Sequence, residues 1–219
     1  MVARIDYYTY EELKLLAGSD IPLVHFEFNQ PNDVKDALIA LIEKGLMNED
    51  ITFTNTGYEV ATLIKEYCMT TGNVRIGDIH YSPCIQLQDR YFMLSRFEEN
   101  KFQIRIVSNQ TLFASLLDQY PILLRQEDAN DFDFKSLDNE ALDFINEAGI
   151  ESVTNAVEIE IYHHSLNRAH RIYQLFEQND MLYLYDGADD SLQQIHIGVI
   201  NTFITESINI EVKGAIKHV

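Results

Sequence analysis

Near residue 73 the spacing of apolar side chains changes period, and that change limits the fold more than any other feature of the chain. Before it, apolar residues recur three and four positions apart, as one face of a helix requires. After it they alternate, as a half-buried strand requires. The same change comes again after about residue 156. A chain that changes period twice in this way is neither all-helical nor all-β, and it reads as α+β.

The first helical stretch opens on Thr9-Tyr10-Glu11-Glu12, a capping box in which Thr9 and Glu12 satisfy each other's backbone amides. Gly18 is placed to end it. Residues 21–28 read as extended. Pro31 suits the first turn of a second helix, with Asp33 favourable to its dipole. Ala37, Leu38, Leu41 and Ile42 give that helix its apolar face, and Gly45 its stop. Thr54 or Asn55 caps a third, whose buried face is Val60, Ala61, Leu63, Ile64 and Tyr67. Residues 9–71 are therefore expected to form a three-helix unit. Its run Lys44-Gly45-Leu46 and its Thr54-x-x-Gly57 give it the look of a winged helix.

Val74, Ile76 and Ile79 begin the strands. Residues 91–97 and 102–107 alternate on either side of Glu98-Glu99-Asn100-Lys101, a hairpin pattern. Phe102, Ile104 and Ile106 are expected to face in, Gln103 and Arg105 out. A helix over 111–120 ends at Pro121. An acidic connection follows over 127–138. Ser136 or Asp138 then caps a helix to Ala148, Gly149 breaks it, and a short helix runs to about Asn155. The second β run comprises 157–162, then 171–178 and 181–185 around the turn Asn179-Asp180, then 193–198. A helix over 202–210 closes the chain.

The expected fold is a single α+β domain over 1–219. A central antiparallel β-sheet of two meanders is flanked by helices, with the winged-helix-like three-helix unit at the N-terminus. Its parts are 1–72, 73–126, 127–156 and 157–219. The order of elements suggests a pseudo-two-fold relation between the two meanders, although no residue-level repeat supports it.

Charge restricts the partners. Thirty-five acidic residues oppose 16 basic ones, a formal net charge of −19. Residues 32–73 alone carry seven acidic and three basic side chains. Affinity for nucleic acid comes from Lys and Arg displacing counterions, so a winged-helix outline without a basic stripe argues against DNA. Anionic lipid is disfavoured in the same way, and a basic protein partner is favoured. No apolar run reaches the length of a membrane span, and the N-terminus lacks a signal-peptide pattern, so membrane insertion is not expected and a cytoplasmic location is. Cys68 and Cys84 are too few for a disulfide framework and read as apolar filler.

Catalytic and metal-binding patterns are weak. His163 and His164 are adjacent and would point to opposite faces of a strand. No zinc spacing is present. Asp186-Gly187-Ala188-Asp189-Asp190 lacks the alternating ligands of a calcium loop and reads as a turn at a hairpin end. Glu158 and Glu160 share one side of a strand, which is background for outward glutamates in so acidic a chain. No phosphate-binding or nucleophile motif occurs. Neither an enzymatic activity nor a cofactor or metal is expected.

Several stretches together resemble a known family. They are Tyr10-Glu11-Glu12-Leu13, Pro22-Leu23, Leu41-Ile42-Glu43-Lys44-Gly45-Leu46, Thr54-x-x-Gly57 and the passage to strands after about residue 73. Phe102-Gln103-Ile104-Arg105-Ile106, Arg125-Gln126-Glu127 and Val157-Glu158-Ile159-Glu160-Ile161-Tyr162 extend the likeness over nearly the whole chain. They are similar to the cytosolic EspG-like chaperones of type VII secretion, in their EsaE-type branch. The resemblance implies a non-enzymatic chaperone or adaptor. It would keep a secreted effector or a WXG/LXG-type substrate soluble and deliver it to the membrane secretion ATPase. It assigns no individual contact residue.

Two other classes stay open. An acidic immunity protein against a basic toxin would have the same charge and the same lack of catalytic motifs. A degenerate winged-helix regulator would account for the N-terminal unit alone. Loops on a rigid sheet commonly carry binding, and tyrosine suits interfaces. Partner contacts are accordingly expected at Tyr81, Ser82, Pro83, Tyr91, Glu98, Glu99 and Lys101 in the first meander.

Overall fold

The structure, a computed structural model, describes residues 7–22, 34–70, 72–125, 135–136, 154–163, 169–178 and 181–207. Three helices open it: α1 (Tyr10–Ala17), α2 (Val34–Glu43) and α3 (Asn55–Cys68). The capping box of α1 forms as expected: Glu12 N–H donates to Thr9 Oγ1, and Thr9 N–H donates to the Glu12 carboxylate at 2.7 Å. Gly18 closes the helix in the left-handed region at φ 70°, which a side chain would disfavour. Thr54 rather than Asn55 caps α3, accepting from Gly57 N–H.

The strands follow as β1 (Gly72–Ile76), β2 (Ile79–Pro83), β3 (Arg90–Glu98) and β4 (Lys101–Ser108). Next come α4 (Asn109–Gln119) and a 3-10 turn over Pro121–Leu124. The second run is β5 (Lys135–Ser136), β6 (Thr154–His163), β7 (Ala169–Gln178), β8 (Met181–Asp186) and β9 (Ser191–Gln194), and α5 (Ile197–Ser207) ends the described chain. All strands join one antiparallel sheet in the order β4-β3-β2-β1-β6-β7-β8-β9-β5. The two meanders meet at β1 and β6, and each runs outward from that seam.

The sheet is covered differently on its two faces. On one, Ile76, Ile79, Tyr81, Met93, Val157, Ile159, Leu175 and Leu182 form a single core with α4, the 3-10 turn and α5. This core spans both meanders. On the other face, Phe92, Leu94, Phe102 and Ile104 of the first meander pack under α1, α2 and α3. The three helices are thus a layer on the sheet, and the strands that follow them enter the nine-stranded sheet rather than forming a separate wing.

Several boundaries differ from the sequence reading. Gln103 is buried and Ile106 is 40% exposed. The first half of the sheet has helices on both faces, so burial there follows the helix footprint as well as strand alternation. Ser136 lies in β5, paired with Gln193, and the helix expected after it falls outside the described residues. The last strand stops at Gln194, and α5 begins at Ile197, five residues before the expected Thr202. The extended segment beyond Pro22, the start of the second helix at Pro31, the helices expected over 138–153, His164 and the turn Asn179-Asp180 lie outside the described residues.

Candidate functional site

The expected contact residues of the first meander separate into an interior group and two remote ends. Tyr81 and Ser82 are each 1% exposed and Tyr91 is 5% exposed. The two tyrosines share a face of the sheet, and α4 covers it. Their rings meet edge-on at 6.4 Å inside the core. Their side chains are therefore not available to a partner, which corrects the expectation for these three residues. Pro83 is exposed where β2 ends. Glu98, Glu99 and Lys101 are exposed at the opposite end of β3, roughly 25 Å away at about 3.3 Å per residue. Glu98 pairs with Lys101 at 2.6 Å across the turn.

Each end carries exposed apolar groups that sequence reasoning did not single out. Beyond Pro83, Cys84 tucks into the core under the helices, and its N–H donates to Arg90 C=O at 2.9 Å. The loop between these anchors projects Ile85, 71% exposed, and Leu87, 48% exposed. Gln86 Nε2 donates to Glu66 Oε1 of α3 at 3.2 Å, which draws the loop against the last turn of that helix. Met69 caps this turn and is 78% exposed. Glu66, bonded to Gln86, and Asp89, in the loop itself, supply acidic groups beside these apolar ones. The signal in the sequence was Ile85 and Leu87 themselves, two apolar residues beyond the strand-ending Pro83. At the other end, exposed Tyr7 and Phe97 meet edge-on at 5.3 Å. Asn100 Oδ1 accepts the N–H of Tyr10 there, fastening the β3–β4 turn to the start of α1.

The groups that might have carried chemistry are bound up in structure. Glu158 and Glu160 do share a side of β6, but they are not both outward. Glu160 is fully buried, and its carboxylate accepts from Arg75 Nε at 2.7 Å, while Glu158 bonds the other arm of the same guanidinium. Burial pushes the Cys68 thiol up to about 11, so it stays protonated at neutral pH and is a poor nucleophile. Cys84 is buried. The Asp186–Asp190 stretch is a turn between β8 and β9, where Asp186 accepts from Ala188 N–H and pairs with Arg171. Among the described residues no group of three or more His, Cys, Asp or Glu could hold a metal ion. No described helix is long and apolar enough to cross a membrane.

Residues 2–216 match the family described as "Domain of unknown function (DUF5081)". The chain is 44% identical over 205 residues to the type VII secretion system protein EsaE of Staphylococcus aureus strain USA300. The match covers 94% of this chain and 92% of that protein. The EsaE of strain NCTC 8325 matches to the same extent.

Proposed function

The chain belongs to the DUF5081 family and is a relative of the staphylococcal EsaE proteins, and on that premise we propose that it is a non-enzymatic chaperone or adaptor of type VII secretion. It binds a secreted effector or a WXG/LXG-type substrate inside the cell, covers its apolar surface, and delivers it to the export machinery, with the membrane secretion ATPase as receiver. The relatives' name supports involvement in type VII secretion.

The observation that carries the chaperone reading is the set of exposed apolar side chains Ile85 and Leu87, on a loop anchored at both ends, and Met69, at the end of the helix to which that loop is bonded through Gln86 and Glu66. Large apolar side chains held this far into solvent, with a polar rim, are the makings of a protein-docking surface. The net charge of −19 would steer a basic cargo toward it. Glu98, Glu99 and Lys101 at the far end of β3 would contribute to steering rather than to apolar contact.

The test is affinity capture from native cytosol with the wild-type protein and an Ile85→Ser/Leu87→Ser variant. A type VII secretion substrate retained by the wild type and lost from the folded variant is the expected result. Equal retention by both would remove the patch from the binding surface. Retention of a toxin that the protein inhibits, with no effect on export, would favour an immunity role instead.

A further inference from the structure

The outer edge of β4 carries a set of features that the chaperone patch does not use. β4 is an edge strand of the sheet. At its start, Phe102 exchanges two backbone hydrogen bonds with Tyr8, both 2.8 Å, in an isolated bridge. These bonds fix which groups point outward. Phe102 faces away from β3, and by the two-residue period so do the N–H and C=O of Ile104 and Ile106. The register of β3 on β4 is regular from Arg96↔Phe102 to Arg90↔Ser108, so no bulge turns this edge away. No proline interrupts β4, and its only lysine, Lys101, is paired with Glu98 at the turn. Among the described residues, devices that commonly protect an edge are therefore missing along 104–107.

The side chains on this edge favour one kind of occupant. Ile106 lies opposite Phe92 at the rim of the helix-covered face and is 40% exposed. Arg105 points to the other face and is exposed, whereas Arg90, on the neighbouring strand, is exposed on the face of Ile106. Neither makes an ion pair among the described residues, whereas Lys14, Lys44, Arg75, Arg96 and Arg171 all do. In a chain of charge −19, an unengaged arginine at the edge, Arg105, is a local reversal of sign. We propose that the β4 edge binds an extended segment of a partner protein by strand addition. The segment places an apolar side chain against Ile106 and a carboxylate against Arg105 at the adjacent position. A second copy of this chain fits poorly. Two molecules of −19 repel, and antiparallel pairing centred on Arg105 would set the two arginines opposite each other.

The probe is a fluorescein-labelled peptide of alternating valine and glutamate, about eight residues long to match a typical strand. Its binding to the full chain is followed by anisotropy at physiological salt, where the repulsion between the acidic chain and the peptide is screened, and backbone amide exchange is compared with and without it. The expected results are saturable binding and slowed exchange at the amides of Ile104 and Ile106. Arg105→Glu should weaken binding by about tenfold or more, with Arg105→Lys retaining most of it. Ile106→Lys should weaken it as well, and the Ile85→Ser/Leu87→Ser variant should bind as wild type, which separates this edge from the chaperone patch. Absence of binding, equal affinity for a lysine-substituted peptide, protection elsewhere than on β4, or dimerisation of the free protein lost in Ile106→Lys would each overturn the proposal.

Discussion

A methyl group added to Gly57 would lie 1.8 Å from the carbonyl oxygen of Leu46, which explains the Thr54-x-x-Gly57 pattern physically. Thr54 N–H donates to that same carbonyl at 3.0 Å, and Thr54 Oγ1 donates to Gly45 C=O at 2.8 Å. The turn after α2 is thereby stitched to the first turn of α3, so close that no side chain fits. Gly57→Ala should destabilise the protein by about 3 kcal/mol, read as a lower denaturant midpoint with an unchanged slope. A second residue-level prediction concerns pH. Burial by itself would raise the Glu177 carboxyl, but hydrogen bonds from Asn155 and Arg125, with the Arg125 charge, hold it below the ordinary glutamate range. A lowered carboxyl stabilises the fold above its unfolded pKa, and that contribution is lost as pH falls through the folded value. Arg125→Met should cost about 2 kcal/mol at neutral pH. The gap from wild type should narrow as the solution is acidified below the ordinary glutamate range, in denaturant titrations repeated across pH.

The three N-terminal helices depend on the sheet beneath them. α1 and α2 are 8 and 10 residues long, shorter than a helix that holds itself together in water. Leu13, Leu16, Leu41 and Ile64 complete their core only with Phe92, Leu94, Phe102 and Ile104 from β3 and β4. A fragment of residues 9–71 should therefore show no cooperative thermal transition, and a melt close to that of the full chain would contradict this dependence. The same layering explains what the sequence could reveal. Capping box, helix stops and strand alternation are local, and α1, α3, the β3–β4 hairpin and α4 were legible from them. Burial of Gln103, exposure of Ile106 and the internal place of Tyr81 and Tyr91 depend on which helix lies over which strand, a long-range fact with no local signature. The Ile85–Leu87 loop has no local signature for the related reason that alternating residues off a strand look like a continuation of it. Ion pairing across strands, such as Arg75 with Glu160, was likewise invisible to periodicity, so two glutamates that read as background proved to include one at the centre of the sheet.

Charge acts over the whole molecule. At −19, the protein projects a field that repels polyanions and draws in basic surfaces before contact. The β3–β4 turn, with Glu98 and Glu99 exposed, is one place to test it, because neither side chain is packed into the core. Glu98→Lys/Glu99→Lys should slow association with a basic cargo and flatten its salt dependence while leaving the melting temperature nearly unchanged, measured as on-rates at two salt concentrations. Identical rates would shift the steering role to other acidic surface. Ile85 and Leu87 stand beyond the other end of the same strand, so on the proposed function steering and apolar capture would fall on different parts of one sheet. The most direct test of that arrangement is to replace the chromosomal gene by the Ile85→Ser/Leu87→Ser allele and quantify type VII substrates inside and outside the cell at matched levels of folded protein. The account predicts a fall in exported substrate together with loss of its intracellular soluble pool. Unchanged export and an unchanged soluble pool would contradict it.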